Sequence, residues 1–249
     1  MELTEKTVLV TGAAGDLGSA ILHALAEKAE HVIALDNNAE KLAAIEGGNI
    51  TKVHCDVSNF AELSEKMLGV YDNHPKIGVL INAAGILYSA PLVNIMDKDD
   101  GSLKKTAEEW QRCIAINLSS VFYLSQIVAR KMARARIKGV IINISSISAH
   151  GNTGQSAYSA SKAGVNALTQ VWAKELALHG IRTVAIAPGY IDTKSTHRAV
   201  AETQLKDIVG RIPMRKLGQP ESITQAILFA IQNDYLNGTV LEVDGGLTI

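Results

Sequence analysis

The sequence is poor in cysteine. Its two cysteines, Cys55 and Cys113, belong to no C-x-x-C pair and to no cluster of histidine and cysteine. Structural zinc sites need such ligands at short spacing. No metal is therefore predicted, and both thiols are expected to be reduced and to lie in or near the core, where free cysteines are usually found.

The sequence also lacks an excess of either charge. Its 24 lysine and arginine residues nearly balance 25 aspartate and glutamate residues, which leaves a net charge of −1. Such a balance gives no general attraction to nucleic acid or to an anionic membrane. No uninterrupted apolar run reaches the roughly 18 residues of a membrane helix, and the opening MELTEKTVLVTG does not resemble a signal peptide. A soluble cytoplasmic protein is expected, with neither nucleic acid nor membrane as a partner.

The sequence does contain a regular alternation of apolar runs with longer stretches of helical pattern. The runs are continuously apolar, which is typical of parallel strands covered on both faces. Repeated strand–helix–strand units predict an α/β fold, with one doubly wound parallel sheet in a single domain over residues 1–249. Polar stretches at 94–105 and 190–220 interrupt the alternation, and the second is long enough to be a substrate lid. The predicted strands are 7–12, 31–36, 52–57, 78–85, 139–146, 181–189 and 239–246.

A glycine-rich turn, VTGAAGDLGSA (10–20), joins the first strand to the first helix. Gly12, Gly15 and Gly18 keep side chains out of this turn, so a dinucleotide pyrophosphate can approach the backbone at the positive end of the helix. The signal is weak by itself, because glycine also serves an ordinary tight turn.

Two acidic residues strengthen the nucleotide interpretation. Asp36 ends the second strand, 18 residues after Gly18, where a carboxylate can bind the ribose hydroxyls of adenosine. It would repel a 2′-phosphate, and no arginine stands beside it, so NAD(H) is favoured over NADP(H). Asp56 is placed to meet the adenine edge, and for both residues the alternative is a helix cap. Ligands of doubly wound sheets bind beyond the carboxyl ends of the strands, where Gly12, Asp36, Asp56, Asn82, Ser145 and Pro188 fall.

The stretch SAYSASKAG (156–164) places a phenol and an ammonium together. Tyr158 and Lys162 are one helical turn apart and share a face. A nearby ammonium favours the phenolate and lowers the pKa of the tyrosine, so the pair can exchange a proton with an alcohol or a carbonyl oxygen. The alternative is an amphipathic helix with its tyrosine in the core and its lysine in solvent, and the spacing alone does not decide.

These motifs resemble the short-chain dehydrogenase/reductase family over the whole chain. The resemblance implies a Rossmann-type sheet of about seven strands. It also implies an oxidoreductase that moves a hydride between a nicotinamide cofactor and a secondary alcohol or ketone. The family's motifs occur in its order and spacing as TGAAGDLG, NAAG (82–85), Asn117 in AINLSS, Ser145 thirteen residues before Tyr158, YSASK (158–162) and PGYIDT (188–193).

The resemblance also implies roles for individual residues. Tyr158 is the expected general acid/base, and Lys162 the residue that lowers its pKa and holds the nicotinamide ribose. Ser145 is expected to bind the substrate oxygen, and Asn117 to hold a water in a proton relay. Gln155 borders the substrate side together with Ser145 and Tyr158. The expected cofactor-binding residues are Gly12, Gly15, Asp16, Leu17, Gly18, Asp36, Asp56, Val57, Asn82, Ala83, Gly85, Tyr158, Lys162, Pro188, Gly189, Ile191 and Thr193.

One residue departs from the family pattern. Asp16 stands where the fingerprint T-G-x-x-x-G-x-G has a glycine, and Gly15 lies one position earlier. An acidic side chain near a pyrophosphate is unfavourable unless it points away or caps the helix.

Within the family, the chain looks most like the 3-oxoacyl-(acyl-carrier-protein) reductases and the type 2 3-hydroxyacyl-CoA dehydrogenases of fatty acid metabolism. The stretches GNTGQSAYSASKAG and YLNGTVLEVDGG carry this likeness, and the second group uses NAD. An alternative is a dehydrogenase of a polyol, a cyclic diol or a steroid. A catalytically silent nucleotide-binding scaffold is a further alternative, against which the presence of Asn117, Ser145, Tyr158 and Lys162 argues.

Several features concern partners. His197 and Arg198 in the lid can meet an anionic substrate or be solvated. The family resemblance implies a homotetramer that pairs the helices around 108–134 and 157–178. A basic cluster can dock an acyl carrier protein or a CoA phosphate, or it can consist of cations favoured at a helix C-terminus; its members are Arg130, Lys131, Arg134, Arg136 and Lys138.

Overall fold

The computed structural model describes residues 1–93 and 101–249. Seven strands form one sheet: β1 (Thr7–Thr11), β2 (His31–Asp36), β3 (Ile50–His54), β4 (Ile77–Asn82), β5 (Gly139–Ile144), β6 (Ile181–Pro188) and β7 (Val240–Val243). Their order across the sheet is β3-β2-β1-β4-β5-β6-β7, and every neighbouring pair is parallel. The predicted α/β fold with a doubly wound, Rossmann-type parallel sheet is confirmed.

Helices connect the strands and cover both faces of the sheet. A π-helical turn, Ala115–Ser119, separates the fourth helix from the fifth, and short 3₁₀ turns cover Ile147–His150 and Ala177–His179. The α-helices are α1 (Asp16–Ala26), α2 (Ala39–Ala43), α3 (Phe60–Asn73), α4 (Gly101–Ile114), α5 (Ser120–Ala135), α6 (Ser156–Glu175), α7 (Lys194–Ala199), α8 (Glu202–Arg211) and α9 (Pro220–Gln232).

The apolar strand residues divide between two cores because successive side chains point to opposite faces. Val8 and Val10 of β1 pack on the face that α1 and α9 cover, whereas Leu9 packs on the face covered by α3 and α5. Every residue of β1, β4, β5 and β6 is buried. Burial on both faces explains why these strands read as continuous apolar runs.

The topology places a crevice at one point of the sheet. The chain runs from β1 outward to β2 and β3, and then returns to β4 on the other side of β1. The connections after β1 and after β4 therefore leave in opposite directions, which opens a cleft beyond the carboxyl ends of these two strands.

Several predicted segments differ from the structure in their bounds. The strands predicted at 78–85, 139–146 and 239–246 end earlier, at Asn82, Ile144 and Val243. The third strand was predicted at 52–57 but spans Ile50–His54, and Asp56 therefore lies in the turn after it. β3 is an edge strand whose side chains are mostly part-buried or exposed, so its apolar pattern is a weaker guide. Of the predicted polar stretch 94–105, residues 94–100 lie outside the described residues, and α4 begins at Gly101.

The free cysteines are buried as predicted, with Cys55 and Cys113 nearly inaccessible. One helical stretch, Leu103–Ala135, is long and apolar enough by length and composition alone to cross a membrane. The sequence shows no uninterrupted apolar run here, because the stretch is apolar only in its mean hydropathy. Leu124, Val128 and Met132 of this stretch are fully buried in the core beside α3, so we interpret it as a core helix.

Candidate active site

A cavity of about 570 Å³ lies beyond the carboxyl ends of the strands, within the size range of cofactor and ligand sites. It runs from the glycine-rich turn after β1 to α6, and α7 borders one side. Most of the residues predicted for cofactor and substrate line it: Gly12, Gly15, Asp16, Leu17, Gly18, Asp36, Asp56, Val57, Ala83, Gly85, Ser145, Gln155, Tyr158, Lys162, Pro188, Gly189, Ile191 and Thr193.

The glycines of the first turn are needed by its own packing. Gly12 has φ +64°, and a Cβ added there would lie 2.7 Å from the Cα of Ala84. A Cβ on Gly18 would collide with the carbonyl oxygen of Gly12. The glycines therefore do serve a tight turn. The absence of side chains in that turn also leaves its backbone open to the cavity.

The N-terminus of α1 faces this cavity and fits an anionic group. Its cap residue Gly15 provides no side-chain hydrogen bond, and the first N–H groups of any helix lack intrahelical acceptors. Gly15, Leu17 and Gly18 line the cavity at this end. The N–H of Gly15 already donates to the carbonyl of Gly12, but those of Leu17 and Gly18 can hold a diphosphate by hydrogen bonds, aided by the positive end of the helix dipole.

Asp36 is fixed at the end of β2 by two backbone donors. The N–H of Ala14 donates to its Oδ2 at 2.9 Å, and the N–H of Asn38 donates to its Oδ1 at 2.8 Å. The cap of α2 is Asn38, whose side chain accepts from the N–H of Lys41, so the helix-cap alternative for Asp36 is wrong. The carboxylate instead ties the glycine-rich turn to β2 and presents a negative charge to the cavity.

Asp56 holds the turn after β3. Its Oδ1 accepts from the N–H of Ser58 at 2.9 Å and from the hydroxyl of Ser58 at 2.7 Å. The cap of α3 is Asn59, so Asp56 supports the approach to the helix without capping it. Asp56 and Val57 both border the cavity.

Ser145, Tyr158 and Lys162 come together where β5 ends and α6 begins. The Nζ of Lys162 donates to the carbonyl oxygen of Ile144 at 2.7 Å and lies 5.6 Å from the centroid of the Tyr158 ring. The Ser145 hydroxyl donates to the backbone carbonyl of Lys162 at 3.3 Å. Tyr158 is therefore not the core tyrosine, nor Lys162 the solvated lysine, of an ordinary amphipathic helix, because both border the cavity and Lys162 is only 4% exposed.

Burial dominates the electrostatics of this pair. Burial raises the pKa of Tyr158 above its ordinary value, against a smaller opposite effect of its hydrogen bond with Ser146. Burial also lowers the pKa of Lys162 to about 8. The expected lowering of the Tyr158 pKa by Lys162 does not show in this structure, where burial outweighs the hydrogen bond with Ser146; the role of Lys162 toward Tyr158 stays a prediction.

Asn117 lies in the π-helical turn between α4 and α5 and is fully buried. Its Oδ1 accepts from the N–H of Ile86, and its Nδ2 donates to the carbonyl of Ile86, each at 2.8 Å. A Cβ on Gly85 would lie 3.2 Å from the Oδ1 of Asn117 and 3.7 Å from the Nζ of Lys162. Asn117 thus adjoins Lys162 from behind the loop that lines the cavity.

Asn82 is the predicted cofactor residue that does not line the cavity. It is buried at the end of β4, where its Nδ2 donates to the Oγ of Ser125 at 3.0 Å and to the Oδ1 of Asn143 at 2.8 Å. Asn143 in turn donates to the Oγ1 of Thr169 at 2.9 Å. This buried network joins β4, α5, β5 and α6, so the side chain of Asn82 braces the site from the interior.

Sequence reasoning missed several residues at the site, among them Thr11, Lys41 and Arg112. Thr11 accepts from the N–H groups of Ala83 and Ala84 at 3.1 Å each and so fixes the loop after β4. Lys41 lines the cavity beside Asp36, and Arg112 of α4 lines it near Ile116. A threonine in front of Gly12 could have suggested the first contact, but nothing in the local pattern marks Lys41 or Arg112.

The lid residues His197 and Arg198 each contact an acidic residue of the protein. His197 Nε2 lies 2.7 Å from the Oδ1 of Asp192, and Arg198 lies 3.7 Å from the Oδ2 of Asp16. The basic cluster lies around the C-terminus of α5, near the amino ends of the strands, because α5 leads into the start of β5. The cavity lies at the other end of the strands. There Lys131 covers the Tyr71 ring at 5.0 Å.

A dinucleotide site beside a serine, a tyrosine and a lysine defines a dehydrogenase or reductase that acts on alcohols and ketones with a nicotinamide cofactor. The comparisons agree with this class. The family model for the short chain dehydrogenases matches residues 6–204. The chain belongs to this family and is an oxidoreductase, which sets aside the silent scaffold.

Several known proteins are similar to the chain over its full length. It is 37% identical to a 3-oxoacyl-(acyl-carrier-protein) reductase of Thermotoga maritima, with 100% of each chain covered. It is 35% identical to a (3R)-3-hydroxyacyl-CoA dehydrogenase of Canis lupus familiaris, covering 99% of this chain and 98% of the relative. A solved 7α-hydroxysteroid dehydrogenase in complex with NADH and a 7-oxo bile acid superimposes with a TM-score of 0.89 and 28% identity, covering 99% and 96%.

Proposed function

We propose that the protein interconverts 3-hydroxyacyl and 3-oxoacyl thioesters, on coenzyme A or on an acyl carrier protein. The observation that carries this proposal is the full-length similarity to a reductase and a dehydrogenase whose names state these two thioester substrates. The cavity agrees with it, because the apolar Leu87 and Ile147 line it together with Ser145, Gln155 and Tyr158.

In this proposal, Ser145 and Tyr158 handle the substrate oxygen. The Ser145 hydroxyl donates a hydrogen bond to that oxygen and stabilises the charge that develops on it. Tyr158 exchanges the proton: a raised pKa keeps the phenol protonated at neutral pH, which suits a general acid for ketone reduction. When bound, the nicotinamide cofactor supplies or accepts the hydride.

Lys162 and Asn117 serve the proton path and the cofactor. Lys162, with a pKa lowered to about 8, can return a proton to Tyr158 near neutral pH and can hold the ribose hydroxyls. Asn117, whose amide is held by the backbone of Ile86, would hold a water of the proton relay. The predicted cofactor residues that line the cavity would bind the adenosine, the diphosphate and the carboxamide, and Asn82 would support them from the interior.

The buried Oε1 of Gln155 supports a role toward the substrate. It finds no hydrogen-bond partner among the described residues, although Gln155 borders the cavity. An unsatisfied buried acceptor is costly, and a donor on the substrate, such as a hydroxyl or amide N–H, would satisfy it.

For the cofactor we propose a preference for NAD(H) over NADP(H). Asp36 is only 8% exposed and is held by two backbone donors, so it cannot turn away from a 2′-phosphate. Lys41 lines the same end of the cavity and is the cation that would counter this repulsion. A Lys41→Ala variant with unchanged NADPH affinity would show that Lys41 does not counter this repulsion and would leave Asp36 as the selective group.

The proposal extends to the assembly and setting of the protein. Trp110, Phe122 and Val171 expose 44, 40 and 46% of their surface on α4, α5 and α6, which supports a homotetramer that pairs these helices. Analytical ultracentrifugation that finds a monomer at micromolar concentration would refute it. We further propose a single domain over residues 1–249 with 190–220 as its lid, and a cytoplasmic location.

An acyl carrier protein as the thioester partner needs its own experiment. Within one chain, the basic cluster around the end of α5 lies at the other end of the strands from the cavity. This distance supports the explanation that these cations are favoured by the helix C-terminus. Equal turnover of an acetoacetyl group on CoA and on carrier protein would show that docking adds nothing.

The test of the proposed reaction follows oxidation of NADH and of NADPH by absorbance with acetoacetyl-CoA. We expect rapid oxidation of NADH, slow oxidation of NADPH, and turnover at least about 100-fold slower in Tyr158→Phe. Absence of turnover, while NADH fluorescence still reports binding, would overturn the thioester proposal.

The structural similarity to a 7α-hydroxysteroid dehydrogenase at a TM-score of 0.89 favours another secondary alcohol as the second candidate. A panel of steroids, polyols and cyclic diols with NAD⁺ tests it, and one such alcohol turned over faster than any thioester would establish it.

A further inference from the structure

The short helix α7 is capped by a residue from a distant part of the chain. The N–H of Ser195 lies in the first turn, where a helix offers it no acceptor, and it donates to the Oδ2 of Asp16 at 2.6 Å. The Ser195 hydroxyl donates to the same oxygen at 2.6 Å. The two residues are 179 positions apart, so this cap joins the glycine-rich turn directly to the lid.

The contact is also ionic. Arg198 lies 3.7 Å from the Oδ2 of Asp16. The hydrogen bonds from Ser195 hold the pKa of Asp16 below its ordinary value of 3.8, so the carboxylate is charged at neutral pH. Its negative charge is thus engaged by donors from α7, which explains how an acidic residue is tolerated beside a diphosphate site.

The structure of α7 depends on such caps. Its six residues are too few for a stable isolated helix. Within the segment, Thr193 accepts from the N–H of Thr196 at 3.1 Å, and Asp16 supplies the second cap from outside. Thr193, Ser195 and Thr196 line the cavity, as does Asp16, so this cap closes one side of the cavity.

We propose that Asp16 is a positioning residue that holds α7 against the glycine-rich turn and so fixes the wall that retains the nucleotide. Asp16 stands where the family fingerprint has a glycine, and a glycine could not make this contact. The inference concerns nucleotide retention and does not depend on which alcohol or ketone is the substrate.

The test compares wild type with Asp16→Asn, which keeps the shape of the side chain and removes its charge. In the nucleotide-free protein, hydrogen exchange of the Ser195 amide should become about ten-fold faster, as for local opening of a lost contact. In stopped-flow fluorescence, NADH should dissociate about five-fold faster, the order expected for one charge-assisted hydrogen bond at a partly exposed site.

A different result is expected if Asp16 does not position α7. If the Asp16 carboxylate only repels the diphosphate, Asp16→Asn will bind NADH more tightly and leave exchange at Ser195 unchanged, and either finding overturns the proposal. Ser195→Ala, which keeps the backbone donor, should accelerate NADH dissociation by a smaller factor. Asp207→Asn is the matched control, since it removes an exposed carboxylate from α8 and should leave both rates unchanged.

Discussion

Replacing Lys162 with methionine is expected to stabilise the nucleotide-free protein while it abolishes turnover. Lys162 is 4% exposed, and burial lowers the pKa of its ammonium from 10.5 to about 8. Its Nζ donates to the carbonyl of Ile144, but among the described residues it forms no ion pair. The folded protein therefore carries a charge that its surroundings disfavour.

The size of the effect follows from the two pKa values. The difference between 10.5 and about 8 corresponds to roughly 3 kcal/mol of folding free energy, at about 1.4 kcal/mol per pH unit. Loss of the hydrogen bond to Ile144 offsets about 1–2 kcal/mol. Methionine retains most of the side-chain volume, so a net gain of roughly 1–2 kcal/mol, or about 2–8 °C in Tm, is expected.

The pH dependence gives the sharper test. Below pH 8, both folded and unfolded wild type carry the proton and the cost of burial is fully present. As the pH rises from 8 toward 10.5, the folded state has already lost its proton, so wild type gains stability and the advantage of Lys162→Met shrinks. Thermal unfolding at pH 7 and pH 9.5 measures this. A variant less stable than wild type at pH 7, or an advantage that does not shrink by pH 9.5, would refute the reasoning.

Four further predictions concern single residues. Tyr158→Phe should bind NADH within about two-fold of wild type but lose at least about 100-fold in turnover; retained activity would mean that another group moves the proton. Asp36→Ala should lower the NADH-over-NADPH selectivity about ten-fold or more by removing a like charge, and a wild type that already prefers NADPH would contradict this. The added methyl of Gly18→Ala should collide with the Gly12 carbonyl, lower the free energy of unfolding by about 2 kcal/mol or more and weaken NADH binding; a variant with the Tm of wild type would contradict this. Burial and His74 lower the pKa of His31 below 6.5, so the unfolded chain takes up a proton at a higher pH than the folded protein does. The folded protein therefore loses stability as the pH falls from 6.5 through that lower pKa. The urea midpoint of wild type should therefore drop more than that of His31→Gln between pH 7 and 5, and parallel profiles would disprove this.

The elements that are regular in sequence were predictable from it. β2 and the glycine-rich turn follow from a continuous apolar run and from glycines where no Cβ fits. The grouping of Ser145, Tyr158 and Lys162 was also predictable, because one helical turn joins the last two and the family spacing adds the first. β3 was less predictable, since an edge strand is only partly buried and its pattern is diluted.

Other features needed the tertiary structure. The direction of Asn82 depends on Ser125 and Asn143, which approach from α5 and β5. The raised pKa of Tyr158 and the lowered pKa of Lys162 come from the density of protein around them. Lys41 and Arg112 line the cavity through the placement of α2 and α4, which no local pattern reveals.

The sequence by itself determined the sheet, because its strands follow from periodicity, and its family motifs indicated the cofactor class and the predicted reacting groups. Only the tertiary structure decided the hydrogen-bond partners, the burial and the pKa shifts of those groups. The clearest case is Asp16: its sequence context gives an isolated charge in a glycine-rich turn, whereas the fold brings Ser195 to its carboxylate from 179 residues away. Hydrogen bonds and desolvation act through space, so their partners are known only once the chain is folded.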